Sequence, residues 1–176
     1  MATEGPRLSL LQQREIEARI VGPLLRAVAV EMGHEKTLAL ARGVISDLAR
    51  QGGADLALRF GEATLETFAR SLDLWREGGA LEIEMLEQSA ERLSFNVTRC
   101  RYAEMYRALG LVDLGSSLSC QRDFSLVEGF NPAIGLTRTQ TLMEGASHCD
   151  FRFVAAGPVA IETAPGLDEP DRGGPA

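Results

Sequence analysis

The sequence is poor in several residue types. Among its 176 residues there is one lysine, Lys36, and one tryptophan, Trp75, and acidic residues outnumber basic ones by 25 to 18. The resulting net charge of −7 argues against a general nucleic-acid binder, which would present a basic stripe. The sequence lacks a secretory signal at its start and any apolar run of the ~20 residues that a membrane span needs. We therefore expect neither a nucleic-acid nor a membrane partner.

Cysteine is absent until Cys100, and only Cys120 and Cys149 follow it. An odd number of cysteines without a secretory signal indicates reduced thiols, which favours a cytoplasmic protein. The gaps between the cysteines match no zinc-finger spacing. His148 and Cys149 would point to opposite faces of one strand, so a shared metal is not expected. The sequence also contains no P-loop, GxGxxG, GxSxG or HExxH motif. It therefore predicts no metal and no other cofactor.

Hydrophobic spacing in the first half of the chain predicts helices. Apolar residues recur at helical intervals over 8–32, 35–51 and 54–77. Pro23 is expected to kink the first helix or to start a new one. Gly52 and Gly53 are expected to end the second helix. The chain therefore begins with a series of amphipathic helices.

The pattern then changes to the period of two that is typical of strands. Alternating segments at 81–85 and 93–97 predict one hairpin, and those at 133–142 and 149–153 predict a second. Helices are predicted between the hairpins, at 101–109 and within 116–130. This order predicts an α+β fold: N-terminal helices, then an antiparallel sheet of about four strands covered by helices on one face. We expect a single domain over 1–160 and a disordered tail over 161–176, which is rich in Pro, Gly and acid.

Reactive side chains are concentrated between residues 96 and 153. Cys120 lies near a predicted helix start, with Asp123 three residues later on the same face, so a thiol and a base are candidates to act together. Cys149 follows His148 at the head of the last strand, and Glu104 is a further candidate base. Free cysteines are also often buried as small apolar side chains, and Cys100, at a strand–helix junction, fits that description best.

Five short segments of the chain form a recognisable set of motifs. They are CRYAEMYRALGL from Cys100, SCQRD from Ser119, the FNP turn, TRTQTLMEG from Thr137, and HCDFRF from His148. As a set they resemble the L-2-amino-thiazoline-4-carboxylic acid hydrolase family, and the resemblance extends over roughly residues 93–153. The resemblance implies a hydrolase that opens a small cyclic amidine-type ring, such as a 2-amino-thiazoline-4-carboxylate, at a C–N bond. The ending GxxxCDFRF also resembles 4-vinyl reductase-type ligand-binding domains, which implies a pocket between helices and sheet.

The motif positions, taken with the local patterns, define the candidate site. The candidate catalytic residues are Cys120, Asp123, Cys149 and Glu104. The candidate substrate-binding residues are Asn96, Arg122, Arg138, Thr141 and His148. Two routes are open: a cysteine thiolate attacks the ring carbon, or a carboxylate activates water. An arginine, Arg122 or Arg138, would bind the substrate carboxylate.

Two other functions compete with a hydrolase. A non-catalytic small-molecule-binding or sensory module would hold a hydrophobic ligand in an apolar cavity, whereas a hydrolase would present a thiol and carboxylates in a polar one. A partner protein would dimerise through its first helices, and an exposed apolar stripe over 8–32 would support that interpretation. We therefore expect a small-molecule substrate and treat a homodimer as a candidate assembly.

Overall fold

The computed structural model describes residues 7–155. Its helices are α1 (Leu10–Met32), α2 (His34–Phe60), α3 (Leu65–Arg76), α4 (Arg101–Ala108), α5 (Val112–Gly115) and α6 (Arg122–Phe130). Its strands are β1 (Leu81–Gln88), β2 (Arg92–Cys100), β3 (Ile134–Thr137) and β4 (Cys149–Ala155). Helices α1–α3 precede the antiparallel sheet, α4–α6 lie between β2 and β3, and helices cover one face of the sheet, so the predicted α+β class is confirmed. The tail predicted over 161–176 lies outside the described residues.

Helix α1 begins at a capping box. The Ser9 Oγ accepts the Gln12 N–H at 3.3 Å, and the Gln12 side chain accepts the Ser9 N–H at 2.9 Å, which satisfies two backbone donors at the helix start. The helix then continues through Pro23, so the expectation of a new helix start there is wrong. Pro23 lies on the exposed face, where water can bond the carbonyl that loses its helical donor.

Helix α2 does not end at Gly52 and Gly53, as the sequence predicts, but continues to Phe60. It ends where Gly61 adopts a left-handed conformation with φ of 74°, a conformation that glycine adopts without steric penalty. The predicted third helix is correspondingly shorter and begins after its cap, Thr64.

Gly52 and Gly53 lie inside α2, and Gly53 is required where α2 crosses α6. Gly53 is buried there. A Cβ at Gly53 would lie 2.7 Å from the Phe130 backbone nitrogen, and a Cβ at Gly129 would lie 2.7 Å from the Arg50 carbonyl carbon. Real Cβ atoms do not approach other atoms so closely, so this crossing requires glycine on both helices. The close contact fixes α6, which carries part of the site, against α2.

The sheet has the strand order β1-β2-β4-β3, and every neighbouring pair is antiparallel. The register sets Phe95 opposite Phe151 and Val97 opposite Cys149, so these side chains share the face that the helices cover. Phe68 of α3 packs on this face, with its ring centroid 5.1 Å from that of Phe153. The main core therefore lies between α2, α3 and α6 and the inner face of the sheet.

Strand β3 is much shorter than the predicted segment 133–142. The Asp150 carboxylate accepts the backbone N–H groups of Thr139 and Gln140, each at 2.9 Å, and the Thr139 hydroxyl at 2.7 Å. These donors bond a side chain instead of a neighbouring strand, so the ladder stops after Thr137. The alternation of apolar residues does not reveal this competition, because the segment keeps its period of two.

The segment from Val112 to Phe130 is helical, as predicted for 116–130, but it contains a π-helical turn at Ser116–Cys120. The Gln121 N–H donates to the Ser116 carbonyl, five residues back, at 3.0 Å. Such turns insert an extra residue and displace the side chains that follow, and they occur frequently at functional sites. Within residues 7–155, no helix combines the length and the apolarity that a bilayer crossing requires.

We predict that Gly53→Ala lowers the free energy of unfolding by about 3 kcal/mol, because the added methyl group forces α2 and α6 apart. Gly43→Ala is the matched control, since Gly43 also lies in α2 but has nothing within 4 Å of its Cβ position. We expect Gly43→Ala to raise stability by about 0.5–1 kcal/mol through helix propensity. Urea unfolding followed by circular dichroism measures both changes, and equal effects would contradict the close crossing.

Candidate functional site

A cavity of about 320 Å³ lies between the inner face of the sheet and helices α1, α2, α3 and α6. This volume is in the range of small-molecule sites. Much of the wall is apolar, and its aromatic side chains come from α3 and the sheet. They are Phe68, Trp75, Phe95, Phe151 and Phe153. The cavity is therefore suited to a small molecule with a flat apolar face.

Asp123 and Arg138 form the polar centre of the cavity. An Arg138 Nη donates to the Asp123 carboxylate, and both Nη atoms lie 3.2 Å from the Cys120 carbonyl oxygen. The guanidinium lies between two rings, 5.0 Å from the Phe124 centroid and 5.3 Å from that of Phe151, which attract a cation through their π faces. Only 7% of the Arg138 side chain is exposed. The segment after β3 is therefore fixed to the start of α6.

Asp123 is the candidate acid–base group of the cavity. Burial raises its pKa to about 6, although the charge of Arg138 lowers it. The Asp123 side chain lines the cavity, and 39% of its surface is accessible. A carboxyl group that titrates near neutral pH can both accept a proton and return it.

All three thiols line the same cavity as Asp123. Burial raises the pKa of Cys120, and the negative charge of Asp123 raises it further. Burial also raises the pKa of Cys149, whose Sγ accepts the Leu142 N–H at 3.2 Å, and raises that of Cys100 to about 11. The thiols are therefore protonated at neutral pH, and attack by any of them requires a base that removes the proton.

Cys100 has a structural role as well as a position in the cavity wall. Its Sγ accepts the Ala103 N–H at 3.4 Å and so caps the start of α4. The strand–helix junction seen in the sequence accounts for this cap. The spacing of the cysteines gave no sign that Cys100 shares a cavity with Cys120 and Cys149, because the three lie on different elements.

The structure brings together five of the sequence-selected residues: Cys120, Asp123, Cys149, Arg122 and Arg138. Glu104 is not among them. It lies on the exposed face of α4, where Arg99 Nε donates to its carboxylate at 2.7 Å. This hydrogen bond lowers the pKa of Glu104. Glu104 is therefore a surface ion-pair residue, and the geometry gives no support for it as the base.

Three selected binding residues also lie outside the cavity. Asn96 points to the opposite face of the sheet, since it alternates with residues of the inner face, and there Arg152 donates to its Oδ1 at 2.9 Å. Thr141 caps a short 3₁₀ turn by accepting the Glu144 N–H at 3.2 Å. His148 lies in the turn before β4 and bonds neighbouring polar side chains. The motif positions of these residues reflect local folding.

The sequence missed other side chains of the cavity wall, among them Tyr102, Trp75 and Arg14. Burial raises the pKa of Tyr102 to about 12, and its hydroxyl lies 3.5 Å from the Trp75 carbonyl oxygen. Tyr102 lies within the segment CRYAEMYRALGL, so the sequence could have indicated it. The sequence could not have indicated Arg14, because it belongs to a helix far away in the sequence. Within residues 7–155, no three His, Cys, Asp or Glu side chains are grouped so as to hold a metal ion.

The fold and the site define an α+β protein with a small-molecule cavity in which a carboxyl group of near-neutral pKa meets an arginine and three thiols. The chain belongs to the family described as L-2-amino-thiazoline-4-carboxylic acid hydrolase, whose pattern matches residues 13–153. This agrees with the resemblance noted in the sequence, and the family is named for a hydrolase. No curated protein sequence matches the chain significantly.

Two solved structures have a similar arrangement at low identity. One is a trafficking protein particle complex subunit 3 from Naegleria fowleri covalently bound to palmitic acid, with 11% identity and a TM-score of 0.49 over 81% of this chain and 95% of that chain. The other is the phenol-responsive sensory domain of the transcription activator PoxR with phenol, with 15% identity and a TM-score of 0.46 over 87% of this chain and 79% of that chain. At these values neither likeness bears on function.

We predict that Asp123 titrates near pH 6 in the folded protein and that Arg138→Gln raises its pKa further, because the substitution removes the main group that favours the carboxylate. Carbon-13 NMR titration of aspartate-labelled protein measures both values. Arg99→Gln is the control, since Arg99 pairs with Glu104 on the surface and should leave Asp123 unchanged. An Asp123 pKa at or below the ordinary value of about 4 would contradict the desolvation argument.

Proposed function

We propose that this protein hydrolyses a small cyclic amidine-type substrate and opens its ring at a C–N bond, with Asp123 as the proton acceptor. The observation that supports this most directly is the Asp123 carboxyl group, whose pKa burial raises to about 6, in a cavity of small-molecule size. Family membership supports a hydrolase, and the particular reaction is our inference from the site.

The proposed step balances around Asp123. A water oxygen bonds to the ring carbon that carries nitrogen and sulfur, while the Asp123 carboxylate takes a proton from that water. The protonated Asp123 gives this proton to the ring nitrogen, and a neutral tetrahedral intermediate results. Asp123 then takes the proton of the new hydroxyl group as the C=O bond forms and the ring C–N bond breaks, and it passes this second proton to the departing nitrogen. The product is the substrate plus one water. Because its pKa is close to neutral, Asp123 is effective in both directions.

A covalent route uses the same base. In this route Asp123 removes the proton of Cys120 as the sulfur attacks the ring carbon, and it passes this proton to the ring nitrogen. The ring C–N bond then breaks, with the second proton of the departing nitrogen coming from the exocyclic amino group. Water adds across the C=N bond that remains, the bond between this carbon and the Cys120 sulfur breaks, and the hydroxyl proton returns to the sulfur. The raised pKa of Cys120 means that a free thiolate is scarce at neutral pH, so proton removal must accompany the attack. Cys149 is the other candidate nucleophile, with the Leu142 N–H already bonded to its Sγ.

The experiment is a panel of cyclic amidines and imides, including 2-amino-thiazoline-4-carboxylate, with product mass analysis. We expect a product that has gained one water and whose sulfur remains acylated, because C–N opening releases an amine. A product that reacts with a thiol reagent would indicate C–S opening and would contradict the proposed bond. Asp123→Asn should lower kcat by about 100-fold or more.

Glu104→Gln is the matched control, since it also neutralises a candidate base but lies outside the cavity, and its kcat should be unchanged. Ser in place of each cysteine separates the two routes. Full activity in all three cysteine variants would exclude the covalent route, whereas loss in Cys120→Ser alone would assign the nucleophile. Hydrolysis that survives Asp123→Asn would contradict both routes.

A second candidate function is favoured by the apolar, aromatic part of the wall, in which Trp75, Phe95 and Phe151 line the cavity. A binding or sensory domain would use these side chains to hold a flat ligand without converting it into a product. The same panel separates the two functions. A ligand that raises the melting temperature, remains chemically unchanged and binds equally well to Asp123→Asn would favour the binding domain.

A further inference from the structure

The charge of the cavity wall is opposite to that of the whole protein. The chain has a net charge of −7, yet five arginines and a single acidic residue, Asp123, line the cavity. The arginines are Arg7, Arg14, Arg59, Arg122 and Arg138. A local excess of positive charge in a partly desolvated site attracts an anion whatever the sign of the overall charge.

Arg138 is largely engaged by the protein itself. Its Nη atoms bond Asp123 and the Cys120 carbonyl oxygen, and two rings cover its faces. Its Nε has no acceptor among the described residues and is buried. Arg138 therefore offers a ligand fewer accessible donors than Arg14 or Arg122, whose side chains are more exposed.

Arg14 and Arg122 share one carboxylate. Arg14 Nη1 lies 2.6 Å from both Glu17 oxygens, and Arg122 Nη2 lies 3.2 Å from Glu17 Oε2, while Arg122 Nε donates to the Leu118 carbonyl at 2.9 Å. Two guanidinium groups thus share one negative charge, and one positive charge is left over. Burial and the charge of Arg14 both lower the pKa of Arg122, as expected for two cations with incomplete compensation.

Unused donors remain at this pair. Three nitrogen atoms of the pair make no hydrogen bond among the described residues: Arg14 Nε, Arg14 Nη2 and Arg122 Nη1. None of the three is a fully buried atom. Arg122 is also the immediate neighbour of Asp123 at the start of α6. An anionic group bound by Arg122 would therefore hold the rest of a small ligand beside the proposed base.

We propose that Arg122 and Arg14 form a carboxylate-binding subsite that selects anionic substrates and orients them toward Asp123. This inference rests on the proposed function for the reaction but not for the binding. Guanidinium groups suit a carboxylate because their planar donors match its two oxygens. The subsite assigns the substrate carboxylate to Arg122, not to Arg138, and adds Arg14 from the first helix.

The test is calorimetric titration with 2-aminothiazole-4-carboxylate, a flat aromatic analogue that resists ring opening, and with its uncharged carboxamide. Arg122→Gln and Arg14→Gln should each weaken carboxylate binding by about 10- to 100-fold and should leave carboxamide binding unchanged. Two variants are used because Arg122 also bonds Leu118, whereas Arg14 bonds Glu17 alone. Arg19→Gln is the control, since Arg19 forms a comparable pair with Glu15 on α1 but does not line the cavity.

The outcomes separate the subsite from the reaction. Carboxylate binding that depends on both arginines, without hydrolysis of any substrate, would uphold the subsite and reject the proposed function. Hydrolysis that shows no preference for carboxylate over carboxamide would reject the subsite alone. In an active protein, Arg122→Gln should raise KM more than it lowers kcat. No carboxylate binding by the unmodified protein, or equal loss for both ligands, would overturn the subsite.

Discussion

The ion pair between Arg138 and Asp123 is the interaction on which the rest of the site depends. Arg138 belongs to the segment that leaves β3, and Asp123 belongs to the first turn of α6. The same guanidinium bonds the Cys120 carbonyl of the π-helical turn and lies between the rings of Phe124 and Phe151. One buried cation therefore joins the edge of the sheet, the π turn and α6. Removing Arg138 would therefore loosen the contact between these elements as well as change the charge beside Asp123.

Two opposing effects decide the chemistry of this pair. Burial favours the neutral form of Asp123, and the Arg138 charge favours the carboxylate. Burial prevails, and the resulting pKa near neutral is what a proton-transfer group requires. A fully solvated Asp123 would titrate near 4 and would be a weak base. The same desolvation keeps the three thiols protonated. The cavity thus sets one carboxyl group apart as its base, while the thiols become reactive only if that base assists them.

The sequence predicted the architecture well because both periodicities were clear. The two hairpins, the early helices and the helix around Asp123 all follow from local apolar spacing. The errors have physical causes that act over longer distances. Gly53 is needed where α2 passes close to the backbone of α6, so it does not mark the end of a helix. Strand β3 ends early because the Asp150 carboxylate accepts the N–H groups of Thr139 and Gln140. The Cys120–Asp123 pairing was predictable because it is local to one helical segment. That Glu104 and Asn96 lie outside the cavity was not predictable, because it depends on which face of each helix or strand packs against the core.

The sequence by itself determined the order of helices and strands, the family, and the segment that carries the chemistry, since each is encoded in residues close together along the chain. Only the tertiary structure decided which reactive groups share a cavity. Cys100, Cys149 and Arg138 meet Asp123 because the strand order places β4 beside β2 and turns the end of β3 toward α6. Arg14 reaches the same cavity from α1. Pairing register and helix crossing fix these distances, and both depend on contacts between residues far apart in the sequence.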